Sequence, residues 1–319
     1  MKTLLYRICQ LALFFIQCFN SFAQSDPSFQ EDSIHLQRDN FQIKGTLCMP
    51  TGVSEKIPVL LLVAGSGPTD RNGNNSLGSL KSDAYLLFAH ALAKKGIASV
   101  RYDKRAIGQS RPPGKINMAV LFQQEVQDIA DWITQLRKDI RFSTIILAGH
   151  SQGALMAVQV ASKADKFISL NGLGIKANQL LRDQLSAQPQ FVLQKSLPIL
   201  DSLEKGLPAT DIPPYLNTLF NPDLQLYWMS MFKVDPPEEL SRLQIPALII
   251  QGDNDIQVKV SDAETFVSKS PKARLLVLSG MNHLFKVVAT DKTTNLRSYT
   301  DPKIPIDPAL VEAVVTFIQ

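Results

Sequence analysis

Cysteine is scarce. The 319 residues contain three, and two of these, Cys9 and Cys18, lie in an apolar N-terminal stretch that reads as a leader. Without that stretch Cys48 stands alone, which excludes an intrachain disulfide even in an oxidising compartment. There is no paired-cysteine motif and no H-E-x-x-H, and the four histidines are scattered. No metal is therefore expected. An excess of one charge is missing too: 33 basic against 29 acidic residues leave +4, which gives no reason to expect a nucleic-acid or anionic-lipid partner. Internal repeats and low-complexity tracts are absent, and no apolar run is long enough to span a bilayer comfortably.

The N-terminus carries Lys2 and Arg7, then an apolar run over residues 8–19 broken only by Gln10 and Gln17. Ser21-Phe22-Ala23 places small residues where a signal peptidase reads. Residues 1–23 are thus expected to be a signal peptide, and the mature chain to be exported, periplasmic or secreted, with no membrane span. Phe15-Ile16-Gln17 before Cys18 lacks the small residues of a lipoprotein signal. Losing Lys2 and Arg7 lowers the formal charge from +4 to +2.

The stretch around which the rest is organised is 144–160, TIILAGHSQGALMAVQV. Residues 144–148 are apolar and β-branched, as in a buried strand. Gly149-His150-Ser151-Gln152-Gly153 is a tight turn, and residues 154–160 favour a helix. G-x-S-x-G at a strand-to-helix turn is the pattern of a nucleophile elbow. Side chains two positions either side of the serine would strike the neighbouring strand and helix, and glycine removes that collision. The new helix's N-terminus then offers free N–H groups to an oxyanion.

Around this centre the chain alternates strands and helices. Residues 33–38 and 41–49 read as an antiparallel hairpin turning at Asp39-Asn40. Strands are expected at 58–64, 97–102, 144–148, 166–170, 246–251 and 274–278. Helices are expected at 82–95, with Ser82 as N-cap and Gly96 just past the end, at 117–138, and from Asp307-Pro308 to Ile318. The near-continuous apolar run PVLLLVA suits a strand buried on both faces. The pattern implies an α/β fold, a mostly parallel sheet of about eight strands with helices on both faces. Residues 24–174 and 241–319 form its core. Residues 175–240 have no convincing strand and many prolines, and read as a helical lid inserted over the strand ends. Phe220, Tyr227, Trp228 and Phe232 in it are candidates to line an apolar pocket.

A serine hydroxyl needs a base. His35 lies in an edge strand, His90 on a helix face, and His150 beside the serine with its side chain expected to point elsewhere. His283 follows the last strand, at the carboxyl end where α/β sheets build sites, and is the expected base. The base needs an acid to fix its tautomer. In Gly252-Asp253-Asn254-Asp255, Asp255 can reach back into the site, while Asp253 holds the turn through local backbone N–H groups. The position after the sixth strand reads Asn171-Gly172 and offers no carboxylate. The order Ser151, Asp255, His283 is that of α/β-hydrolases. The loop Gly65-Ser66-Gly67-Pro68-Thr69-Asp70 fails the dinucleotide and P-loop patterns. It fits an oxyanion loop in which the N–H of Ser66 joins that of Gln152.

These pieces, GSGPTDRNG, DKRAIGQS, GHSQG, GDNDIQV and GMNH, together resemble the α/β-hydrolase superfamily. The likeness is to bacterial carboxylesterases of the EstD type, with pieces shared by serine aminopeptidase-like and dienelactone-hydrolase relatives. The resemblance covers about residue 34 to the end and implies the fold, a Ser-His-Asp triad, and hydrolysis of a small-molecule ester without a cofactor. In the turn DKRAIGQS, Ala106 departs from D-x-R-G-x-G-x-S. Two alternatives stay open: peptidase or amidase work, with Glu204, Glu238 or Glu239 holding a substrate amine, and a non-catalytic binding protein on the same fold.

Overall fold

The structure, a computed structural model, describes residues 28–75 and 77–319. The expected signal peptide lies outside them. Among the described residues no helix is long and apolar enough to cross a membrane.

The chain opens with the expected hairpin, β1 (Phe29–Gln37) and β2 (Gln42–Pro50), closed by Arg38 N–H donating to the Phe41 carbonyl at 3.0 Å. β1 starts four residues earlier than its sequence pattern shows. It is an edge strand exposed along most of its length, so burial imprints little alternation on it. Then follow β3 (Ile57–Val63), α1 (Ala84–Ala93), β4 (Ala98–Tyr102), α2 (Met118–Lys138), β5 (Phe142–His150), α3 (Gln152–Val158) and β6 (Lys166–Leu170). Residues 175–240 contain no strand and carry α4 (Ala177–Ser186), α5 (Gln190–Glu204), α6 (Asn217–Phe220), α7 (Pro222–Met231) and α8 (Pro236–Ser241). The core resumes with β7 (Ala247–Gly252), α9 (Val260–Val267), β8 (Ala273–Leu278), α10 (Lys292–Arg297) and α11 (Pro308–Ile318).

The eight strands form one sheet in the order β1-β2-β4-β3-β5-β6-β7-β8, antiparallel at the first two pairings and parallel from β4 onward. The run in β3 explains its own composition. Val59, Leu61 and Val63 enter one apolar core with Trp132 of α2 and Met156 of α3. Leu60 and Leu62 enter the other with Phe88 of α1 and Leu310 of α11. Successive side chains of a strand point to opposite faces, and helices cover both.

Two local expectations are corrected or refined. Ser82 is not the N-cap of α1. The helix begins at Ala84 after Asp83, which takes a left-handed φ of 51°, and the Ser82 hydroxyl donates to the Gly73 carbonyl at 2.8 Å. A polar residue before an apolar run resembles a cap; here Ser82 sits one position too early, yet its oxygen still accepts from Ala84 N–H at 3.3 Å. In the turn after β4, Ala106 adopts φ 66°, so alanine occupies a left-handed position that glycine would take at less steric cost. Asp307 caps α11 as expected, accepting from Ala309 N–H at 2.8 Å, and Asn117, read as the first helical residue, instead caps α2 by accepting from Ala119 N–H at 3.1 Å.

Parallel register sets up the site. His150 of β5 pairs with Leu170 of β6, Leu170 with Ile250 of β7, and Gly252 of β7 with Leu278 of β8. The chain therefore leaves β5, β7 and β8 along one rim of the sheet.

Candidate active site

Ser151 stands between β5 and α3 at φ 53° and ψ −125°, a conformation that a side-chain-bearing residue adopts only when its surroundings enforce it. The two glycines are sterically required. A Cβ on Gly149 would lie 2.5 Å from Ala154 backbone, and one on Gly153 would lie 2.3 Å from the Val63 carbonyl. Across from the elbow, a Cβ on Gly65 would meet His150 Nδ1 at 3.1 Å and Ser151 Cβ at 3.3 Å. The loop after β3 thus runs against the elbow. Among the described residues nothing accepts from the N–H of Ser66 or of Gln152. Both residues share with Ser151 the lining of a small cleft of about 80 Å³.

Asp255 and His283 meet directly. His283 Nδ1 lies 2.7 Å from Asp255 Oδ2, with both side chains buried. The carboxylate is itself fixed: Oδ1 accepts from Gln257 N–H at 2.7 Å and Val258 N–H at 3.0 Å, and Oδ2 accepts from Gln251 Nε2 at 3.3 Å. Nδ1–H donating to Asp255 leaves Nε2 as the acceptor nitrogen. No hydrogen bond joins Ser151 Oγ to the imidazole among the described residues. Asp253 accepts from Gly280 N–H at 2.6 Å, so it ties together the loops after β7 and β8 rather than its own turn. Asn171, where a carboxylate was sought and not found, holds both loops: Oδ1 accepts from Gly252 N–H at 2.8 Å and Nδ2 donates to the Asn282 carbonyl at 2.9 Å.

Sequence reasoning set His150 aside as pointing elsewhere, and its ring is taken up in a chain of bonds. Gly65 N–H donates to Tyr85 Oη at 3.0 Å, Tyr85 O–H donates to His150 Nδ1 at 2.6 Å, and His150 Nε2–H donates to the His283 carbonyl at 2.9 Å. Burial, and then the nearby His283, hold the His150 pKa well below the ordinary value. The ring stays neutral, as this donor–acceptor sequence requires. No single-residue signal marks it.

A larger cavity of about 510 Å³ opens beside Ser66 and Gln152 and is lined by Leu121, Leu219, Tyr227 and Trp228 among others. Tyr227 and Trp228 are where an apolar pocket was expected. Phe220 is fully buried in the core and Phe232 stacks on Trp228 at 5.7 Å, and neither lines the cavity. Two residues that sequence reasoning missed do line it, Lys104 from the turn after β4 and Glu125 from α2. Glu125 Oε2 accepts from Tyr227 O–H at 2.7 Å. Burial raises the Glu125 pKa while Lys104 pulls it back. Glu204, Glu238 and Glu239, the acids considered for an amine site, instead pair at the surface with Arg182 and Arg242.

One further cluster, Glu31, Cys48 and His90, brings three possible ligand atoms within 4.8 Å of one another. Burial pushes the Cys48 thiol up to about 12, and Arg101 holds Glu31 at 2.7 Å. A protonated thiol beside an occupied carboxylate is a poor metal site.

Comparison with known proteins places the chain in a family. Over 225 residues the chain is 33% identical to the mouse (Mus musculus) serine hydrolase BPHL, a match that covers 69% of this chain and 74% of that protein. The chain is an α/β-hydrolase of the serine hydrolase family. The family described as serine aminopeptidase, S33, matches residues 79–207. Esterase EstD of Thermotoga maritima is 29% identical over 266 residues, 81% of this hydrolase. The match spans 61% of the length of that esterase. In fold, the hydrolase superposes on the Butyrivibrio proteoclasticus protein Est1E in complex with ferulic acid with a TM-score of 0.58 at 15% identity, covering 89% of this chain and 96% of the other. The corresponding values for a Pyrococcus furiosus esterase are 0.56 at 16%, covering 92% and 91%.

Proposed function

We propose that the protein is an exported carboxylesterase that works through an acyl-enzyme. Ser151 Oγ attacks the ester carbonyl as His283 Nε2 takes its proton. The tetrahedral oxyanion is met by the N–H groups of Ser66 and Gln152. His283 returns the proton to the departing alcohol, and the same base then activates a water that releases the acid and restores Ser151. Asp255 orients His283 and stabilises its charged form. The observation that carries this reading is the 2.7 Å bond between Asp255 and His283 Nδ1, which leaves Nε2 free to accept a proton, together with the strained backbone of the elbow serine. Serine–histidine bonds of this type commonly close only when substrate is bound.

The cavity falls in the size range of small-molecule sites, and its mainly apolar lining suits an ester with an apolar acyl or alcohol group. In this reading residues 175–240 are the lid, through Tyr227 and Trp228, and residues 1–23 are an export signal. The esterase names of Thermotoga EstD and of the Pyrococcus protein support ester over peptide chemistry, as does the engagement of Glu204, Glu238 and Glu239 away from the cavity.

A fluorophosphonate probe is expected to label the wild-type protein and to fail on Ser151→Ala, with p-nitrophenyl ester hydrolysis falling by several orders of magnitude. Turnover of aminoacyl anilides above that of esters would replace the esterase reading with the peptidase one. Unchanged labelling of Ser151→Ala would remove the nucleophile assignment.

A further inference from the structure

Lys104 is a buried cation that the reaction just described leaves unused. It is 4% exposed, and it forms no ion pair with any described residue. An ammonium in such a place is costly unless its hydrogen bonds do something for the fold or the site. Its Nζ donates to the carbonyl of Gly65 at 2.7 Å. That carbonyl belongs to the same peptide unit as the N–H of Ser66.

The peptide group is planar and trans, so its C=O and N–H point in opposite directions. Anchoring the oxygen therefore sets where the N–H aims. A strong donor on the oxygen also polarises the amide and makes its N–H a better donor, as in any chain of hydrogen bonds. The neighbouring groups are anchored as well. Gly65 N–H is held by Tyr85 at 3.0 Å, and the Ser66 carbonyl accepts from Thr69 Oγ1 at 2.9 Å. Ser66 N–H is left with no acceptor among the described residues, and its residue lines the cleft with Ser151.

We propose that Lys104 is a positioning residue for the oxyanion: it fixes and polarises the Gly65–Ser66 peptide so that Ser66 N–H meets the negative charge that develops in the transition state. The inference rests on the reading of Ser66 as an oxyanion donor. Burial lowers the Lys104 pKa and Glu125 across the cavity opposes that shift, so Glu125 helps keep the lysine charged.

The test compares wild type, Lys104→Met, Lys104→Gln and Lys104→Ala on a p-nitrophenyl ester, with rates expressed per site titrated by fluorophosphonate. Lys104→Met is expected to lose about 10- to 100-fold in kcat with KM within about twofold, less than deletion of an oxyanion donor costs elsewhere. Affinity for a trifluoromethyl ketone, which adds to the serine as an oxyanion, should fall by the same factor as kcat/KM. Lys104→Gln, which keeps a neutral donor, should fall between, and ethylammonium should restore part of the rate to Lys104→Ala but none to Ser151→Ala. Unchanged kcat per titrated site, a change confined to KM, or lost ketone affinity with full kcat would each overturn the proposal while leaving the esterase reading intact. A wild-type protein that neither hydrolyses the ester nor labels at Ser151 would remove both. If Lys104→Met does not fold, the Gln variant and the ethylammonium rescue decide the question.

Discussion

At the scale of single residues, two aspartates two positions apart face different tasks. Asp255 presents one oxygen to His283 and the other to two backbone N–H groups. An asparagine there can keep the backbone bonds but can offer its amide N–H to Nδ1, which favours the wrong tautomer. Asp255→Asn is expected to lower kcat by about 10⁴-fold, the scale seen when a triad acid becomes its amide, while the unfolding midpoint moves little. Asp253 serves Gly280 N–H alone. Asp253→Asn should cost about 1 kcal/mol of stability or less and leave kcat within a few-fold. Steady-state kinetics and urea unfolding of the two variants separate the cases, and greater catalytic damage from Asp253→Asn would reverse the assignment of the acid.

At the scale of elements, α1, the loop after β3, the elbow and the loop after β8 are linked through Tyr85 and His150. Burial, the main cause, raises the Tyr85 pKa, so the hydroxyl remains a donor at any working pH. Tyr85→Phe would strip Gly65 N–H and His150 Nδ1 of their partner at once. Leaving buried polar groups unpaired costs roughly 1–3 kcal/mol, and the variant should unfold at correspondingly lower urea with a reduced kcat. A midpoint within error of wild type would show that neither group depends on the tyrosine. This linkage also marks where sequence reading stops. The strands of the core, the elbow and the loops bearing Asp255 and His283 were legible because each announces itself locally, by an apolar run, by glycines that sterics demand, or by its place after a strand. Tyr85, Lys104, Glu125 and the role of His150 were not. Each resembles an ordinary core or turn residue in its own neighbourhood, and its meaning comes from partners 20 to 133 positions away. Phe220 failed in the opposite sense: its aromatic character suited a pocket wall, and packing used it in the core instead.

At the scale of the molecule, the antiparallel edge is held to the body of the sheet by charge as well as by strand pairing. Glu31 on β1 reaches Arg101 on β4 at 2.7 Å and His90 on α1 at 2.8 Å, across the intervening β2. Burial by itself would raise the Glu31 pKa, but His90 and Arg101 outweigh it and bring the carboxyl from 4.5 down to about 2. A carboxylate whose pKa is lower folded than unfolded takes up protons more readily when unfolded. Its stabilising contribution is therefore complete above the unfolded value and disappears as pH falls through the folded one. For Glu31 that window runs from about 4.5 to about 2. Glu31→Gln should be less stable than wild type at pH 7, and the gap between their urea midpoints should narrow below pH 4.5 and close near pH 2. The other carboxylates titrate alike in both proteins, so the difference isolates this one group. A gap that stays constant across the range would show that Glu31 contributes through packing and strand pairing rather than through its charge, and that the edge hairpin is joined to the sheet without help from the ion pair.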